Sequence, residues 1–176
     1  MAGLENVSGA DKNIESALKA SDLTLRAMLD EDLPQVLIIE RGAQASPWSR
    51  LSFEESISRE HCCRVIASQV DDCKESIVAY HIVCPVADEL HILNVVAAKQ
   101  CQGNGLGHML MSDIVDLAQQ QSLNKIFLEV RASNLAAQSL YLKWQFVQIA
   151  VRKSYYGATS LSNGAREDAL VFLRQL

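Results

Sequence analysis

The sequence predicts one α/β domain built on a mixed, mainly antiparallel sheet of about seven strands with helices on both faces. Three observations carry this expectation. Strand-length runs rich in Val, Ile and Leu follow one another between residues 63 and 97, joined by short polar connections, which is the pattern of an antiparallel meander. At Leu106 the spacing changes: Leu106, Leu110, Ile114 and Leu117 share one helical face. Strand-like and helical segments then alternate to the end of the chain.

Each element has its own local argument. Residues 23–28 read as a first strand ending at Asp30-Glu31-Asp32, where Asp30 suits an N-cap, the acidic residues suit the positive helix end and Pro34 suits the first turn. The helix so opened runs to about Ala43 and is broken at Ser46-Pro47-Trp48-Ser49; a short helix is expected over 52–59. Strands are expected over 63–70, 76–84 (stopped by Pro85) and 89–97. A helix from 106 ends near Gln121. In the strand 125–131, Ile126, Leu128 and Val130 point one way and Phe127, Glu129 and Arg131 the other. A helix over 134–143, with Leu135, Leu140 and Leu142 among its apolar positions, leads to strands at 146–152 and 169–173, separated by a polar loop at 157–164. Residues 1–22, small and polar, are expected to be a flexible extension, partly helical at 14–20, and residues 23–176 one domain.

Composition narrows the function. The chain has 176 residues, 49% of them hydrophobic, and a net charge of −5, ordinary values for a globular domain without the basic footprint of a nucleic-acid binder. No run approaches the ~20 apolar residues that a bilayer requires, and residues 1–20 lack the apolar core of a secretory signal. The expectation is a cytoplasmic protein with no membrane or nucleic-acid partner. The five cysteines, Cys62, Cys63, Cys73, Cys84 and Cys101, are odd in number and form no CxxC pair, and the four histidines lack ligand spacing. They read as structural or exposed residues, with no metal site.

The chemistry concentrates around residues 97–111. A strand ends, Gly103-Asn104-Gly105-Leu106-Gly107 follows, and a helix begins at once. The bare amides of a helix start carry the positive end of its dipole, and glycines let a phosphate approach the backbone. His108 follows Gly107, which excludes the P-loop pattern, and it stands where a GxGxxG fingerprint needs its last glycine. A glycine-rich loop without a ligand remains open from these residues alone.

Gln102-x-x-Gly105-x-Gly107 resembles the [Gln/Arg]-x-x-Gly-x-[Gly/Ala] motif of the GNAT superfamily of N-acetyltransferases. Leu128-Glu129-Val130-Arg131-Ala132-Ser133-Asn134, with Ala137 and Leu140-Tyr141, is similar to the signature of the ribosomal-protein-alanine N-acetyltransferases, the RimI type. Pro47-Trp48-Ser49, Tyr155-Tyr156 and Arg166-Glu167-Asp168 resemble the same subfamily, over about residues 23–173 in all. Departures are Gln145, where the family usually has Gly before the Phe, Cys101, where an aromatic is common, and the loop between Tyr156 and Arg166.

The resemblance implies acetyl-coenzyme A as acetyl donor, with no metal. The acceptor it implies is the N-terminal amine of a small-subunit ribosomal protein, alanine in first position. It implies that residues 103–108 (Gly103, Asn104, Gly105, Leu106, Gly107 and His108), with Gln102, hold the pyrophosphate, that Val95, Val96 and Ala97 offer main-chain groups to the acetyl and pantetheine part, and that Asn134 bonds the same arm. Asn134 also reads as an N-cap. Glu129 is placed as the general base; from the pattern alone it reads equally as a surface glutamate or the ion-pair partner of Arg131, and burial would raise a carboxyl there toward the working range. Tyr141 is placed as the general acid, against a core tyrosine. Glu89, Tyr155 and Tyr156 are expected at the acceptor groove, where an acidic lining would suit a basic protein tail. A small-molecule amine acetyltransferase and a catalytically silent acyl-coenzyme-A-binding module remain as alternatives, because a fold does not fix a function.

Overall fold

The computed structural model describes residues 22–59, 61–71, 74–158 and 164–176. The expected extension, apart from Asp22, and the middle of the 157–164 loop lie outside the described residues. The elements run β1 (Leu23–Ala27), α1 (Leu33–Ala43), α2 (Arg50–Ser58), β2 (Cys62–Asp71), β3 (Lys74–Val86), β4 (Glu89–Ala97), α3 (Leu106–Gln120), β5 (Lys125–Arg131), α4 (Leu135–Lys143), β6 (Val147–Tyr156) and β7 (Glu167–Gln175). The seven strands form one sheet in the order β1-β2-β3-β4-β5-β7-β6. The β4–β5 pairing is parallel and the others are antiparallel; β2, β3 and β4 form the meander read over residues 63–97.

The central strand shows how the layers stack. Residues 77–83 of β3 are all buried, so both faces of the sheet are covered. Tyr80 meets Phe53 of α2 edge-on at 5.7 Å and donates its hydroxyl to Glu40 of α1. The next residue, His81, lies 2.6 Å from Asp113 of α3. Neighbours on a strand face opposite ways, so α1 and α2 cover one face and α3 the other. On the α3 side, Met111, Ile114, Leu128, Tyr141, Phe146 and Phe172 close a second core with α4. Each large side chain fully buried in this way, such as Phe53, Leu33 or Ile114, contributes about 1.5–3 kcal/mol.

Local expectations meet four corrections. Asp30 is not the cap: a 3-10 turn spans Asp30–Asp32, and Asp32 carries the capping carboxylate, accepting from the Leu29 amide at 2.8 Å and from the two terminal guanidinium nitrogens of Arg26. Pro85 does not stop its strand. β2 begins at Cys62, opposite Val83, so beyond Val83 β3 has a neighbour on one side only and tolerates a residue without an amide hydrogen. Leu135 and Leu142 of α4 are 72% and 59% exposed; Tyr141 is the buried residue of that helix. Ser49 caps α2 through its hydroxyl, which shifts that helix two residues earlier than expected.

Candidate active site

The site begins where two parallel strands part. β4 and β5 pair from Glu89↔Lys125 to Ile92↔Leu128 and no further, although β4 continues to Ala97 and β5 to Arg131. The cause lies in β4: Ile82 faces Asn94 and Val83 faces Ile92, so Leu93 is an extra residue that bends the strand. Beyond it, the backbone of Val95, Val96 and Ala97 has no partner strand on the β5 side among the described residues. The gap is a cleft of about 280 Å³ whose lining includes Asn94 and Val95 from β4 and residues 128–131 from β5.

Strand alternation sets the chemistry of the cleft. Leu128 and Val130 are buried toward α3 and α4, while Phe127, Glu129 and Arg131 face the other way. Glu129 therefore reaches the cleft from the α1 side of the sheet, and Tyr141, carried by α4, reaches it from the α3 side. Burial, with the neighbouring Tyr156 second, holds the Tyr141 phenol well above the ordinary tyrosine range, so it stays protonated at neutral pH. Phe146 and Phe172 pack on its ring at 5.9 and 6.4 Å. Asn134 lines the same cleft and caps α4, accepting from the Ala137 amide at 3.1 Å.

The partner of Glu129 differs from the one weighed in the sequence. Arg131 pairs with Glu167 at 2.9 Å and donates to Ser46 at 2.9 Å, whereas Glu129 pairs with Arg152 of β6 at 2.9 Å. A second cavity, of about 470 Å³, opens over Glu129 and is lined among others by Trp48, Arg152, Tyr155 and Tyr156. The Tyr155 phenol reaches Glu129, whose hydrogen bond and charge raise its pKa, and burial pushes Tyr156 up to about 12. Among the described residues the charged lining is mixed: Glu40 and Glu129 against Arg131 and Arg152. The two arginines balance the acidic lining that would suit a basic tail. Glu89 lies outside both cavities; it starts β4 at the paired end of the strand and is held by Lys125 and His91, each at 3.3 Å.

At the far end of β4, Gly103 and Gly105 adopt φ +83°, a left-handed backbone that glycine enters without penalty. Gly105 is the N-cap of α3, and the first internal bonds run from His108 and Met109 to its carbonyl. The amides of Gly103, Asn104, Gly105, Leu106 and Gly107 donate to no backbone carbonyl among the described residues. Five free donors at a helix start, in a turn open to solvent, fit a diphosphate. The side chains stabilise the turn itself: Gln102 donates to the Ala97 carbonyl at 3.2 Å, Asn104 to that of Cys101 at 3.1 Å, and His108 accepts from Trp144 at 3.0 Å. Leu106 is buried and anchors the helix.

Glu40 is a site residue that the sequence reading did not single out. It is fully buried, lines the cleft and accepts from the Trp48 amide at 2.8 Å and from Tyr80, with Asn94 within 3.5 Å. The signal was present: Glu40 falls on the stripe of Leu33, Val36 and Leu37, so α1 carries a carboxylate on its apolar face. Three of the described cysteines are held as thiols. Burial pushes the Cys63 thiol up to about 12 and raises Cys62 and Cys101 as well.

Known proteins resemble this chain in sequence and in fold. The model of the acetyltransferase (GNAT) family matches residues 26–146. The chain belongs to this family. It is 31% identical to the [ribosomal protein bS18]-alanine N-acetyltransferase of Escherichia coli K12 over 148 residues, 84% of this chain and 94% of that protein. The crystal structure of the ribosomal-protein-S18-alanine N-acetyltransferase from Escherichia coli superposes with a TM-score of 0.75 at 29% identity, covering 87% of this chain and 93% of that one. Ard1 from Thermoplasma volcanium shares the fold, with a TM-score of 0.73 at 22% identity over 88% of this chain and 98% of that one. The protein is thus an N-acetyltransferase. No helix among the described residues is long and apolar enough to cross a membrane.

Proposed function

We propose that this enzyme acetylates the α-amine of an N-terminal alanine on a small-subunit ribosomal protein, by direct transfer from acetyl-coenzyme A. The observation that carries the reading is a carboxylate and a phenol facing one cleft from opposite faces of the sheet, at the splay of β4 and β5. The similarity to bS18-alanine N-acetyltransferases supports the acceptor.

The residues fit the donor at both ends. The free amides of 103–107 hold the diphosphate, and the backbone of Val95, Val96 and Ala97, paired with β3 but not with β5, receives the pantetheine arm as an added strand would be received. Asn134 bonds the arm from the α4 side. Acetyl-coenzyme A supplies the activated thioester there. An amide of residues 95–97 polarises the thioester carbonyl.

A peptide α-amine has a pKa near ~8, so a modest base suffices to free it. Glu129 takes that proton, and Tyr141 gives its phenolic proton to the departing sulfur. Tyr155 and Tyr156 wall the cavity through which the peptide reaches Glu129. We place the reaction in the cytoplasm, which suits the free Cys62, Cys63, Cys84 and Cys101.

The test pairs labelled acetyl-coenzyme A with a panel of amines: peptides with a free N-terminal alanine, N-blocked peptides carrying lysine, and polyamines. Transfer to the free N-termini is expected. Transfer confined to lysine side chains or polyamines overturns the acceptor assignment.

A further inference from the structure

The charged run Arg166-Glu167-Asp168 takes no part in the chemistry above, yet its side chains bond the stretch of β6 that carries Tyr155 and Tyr156, or the arginine that lies over Tyr156. Tyr155 and Tyr156 are adjacent on β6, and in a regular strand they would face opposite sides of the sheet. Both nevertheless line the cavity over Glu129. The reason is a break in register: Arg152 faces Ala169 and Tyr156 faces Glu167, so three residues of β6 lie opposite the single residue Asp168. Within that bulge Ser154 has φ +51°, a left-handed conformation that a residue with a Cβ adopts only at a cost. A bulge of this kind persists only if something holds it.

The holding groups are the charged triplet. Asp168 accepts from the Ser154 amide at 2.8 Å and pairs with Lys153 at 2.7 Å. Arg166 donates to the carbonyls of Ser154 and Tyr155, both at 2.7 Å. Glu167 accepts from the Ser133 amide at 2.7 Å and from Arg131 at 2.9 Å, and that guanidinium lies 4.3 Å over the Tyr156 ring. Amide, carbonyls and ring of the bulge are thus each secured by a neighbour in the triplet or by its partner.

We propose that Arg166, Glu167 and Asp168 form a positioning clamp that folds the two tyrosines onto one face, and that Arg166 thereby sets the affinity for the peptide acceptor without touching the reacting atoms. The clamp rests on the reading of the Tyr155–Tyr156 cavity as the acceptor site. Arg166 is exposed, so its replacement spares the core.

The experiment measures acceptor-peptide and acetyl-coenzyme A kinetics, with thermal midpoints, for wild type, Arg166→Ala, Arg166→Lys and the double variant Arg166→Ala/Ser154→Gly. Arg166→Ala is expected to raise the acceptor KM about tenfold, with kcat and the acetyl-coenzyme A KM changed less than threefold. Arg166→Lys, which cannot bridge two carbonyls in the fork geometry of a guanidinium, is expected to behave likewise. Adding Ser154→Gly removes the left-handed penalty and is expected to recover at least half of the lost affinity. An unchanged acceptor KM in folded Arg166→Ala, or an equal loss in kcat and both KM values, overturns the clamp alone. Failure of the wild type to acetylate any peptide N-terminus overturns the acceptor reading, and the clamp with it.

Discussion

Replacing Glu129 with Gln separates the base from the scaffold. The amide keeps the shape of the side chain and an acceptor oxygen for Arg152. That arginine is 56% exposed and its ion pair with Glu129 is a surface one, worth about 0–1 kcal/mol, so the variant is expected to fold with its midpoint nearly unchanged. The chemistry changes much more. General-base catalysis contributes about 10²–10⁴ in rate. Without it, the enzyme depends on acceptor that is already neutral, and for an α-amine of pKa ~8 that fraction is about 1% at pH 6 and about 50% at pH 8. The deficit in kcat/KM is therefore expected near the top of the general-base range at pH 6 and to shrink about fiftyfold by pH 8. The assay follows release of the coenzyme A thiol with an alanine-terminated peptide from pH 6 to 9. Rates equal to wild type, or a deficit that stays constant across that range, would exclude Glu129 as the base.

Other perturbations test the remaining parts. Tyr141→Phe is expected to lower kcat by about 10²-fold or more while leaving the acetyl-coenzyme A KM within a fewfold, because only the proton for the sulfur is lost; the phenol is held protonated, so the wild-type rate should show no alkaline fall from Tyr141 below about pH 10. Gly105→Ala meets no neighbour within 4 Å but must hold φ +83°, so a loss of about 1–2 kcal/mol in urea denaturation is expected, together with weaker acetyl-coenzyme A binding by calorimetry. Gln145 has φ +64° in the Schellman turn after α4, with Phe146 donating to the Tyr141 carbonyl, so Gln145→Gly is expected to raise stability by up to about 1 kcal/mol. Burial pushes the Asp32 carboxyl up, but hydrogen bonds from Arg26 and the Leu29 amide outweigh it and hold the pKa below its ordinary value. Its contribution is thus present above the unfolded carboxyl value of ~3.9 and lost as pH falls through the folded one. Asp32→Asn is expected to be less stable than wild type at pH 7, with the gap closing below about pH 4 in urea midpoints.

Much of this protein is written in short stretches of chain. The strand 125–131 could be bounded to the residue, and the glycine turn assigned to a helix start, because alternation and backbone freedom are properties of neighbouring residues. Gln145 shows how fine that local reading is: the residue standing where the family keeps glycine is the one with a left-handed backbone. The face of α4 was not legible, since that helix mixes apolar residues all round, and whether Leu135 or Tyr141 is buried depends on where β7 and α3 lie.

The features that make the cleft belong to another class. Leu93 is one more apolar residue in a run until its register against β3 shows it to be a bulge that parts β4 from β5. Glu129 chose Arg152, and Arg131 chose Glu167, across the sheet rather than along the strand. Tyr155 and Tyr156 share a face because of a register break set by residues more than ten positions away. Glu89, close to the cleft along the chain, sits at the paired end of the sheet and serves Lys125 instead. Element type and backbone freedom arise from interactions between near neighbours, which the order of residues contains. Register, charge pairing and the shape of a gap arise when distant segments meet, and those are settled only once the sheet has closed.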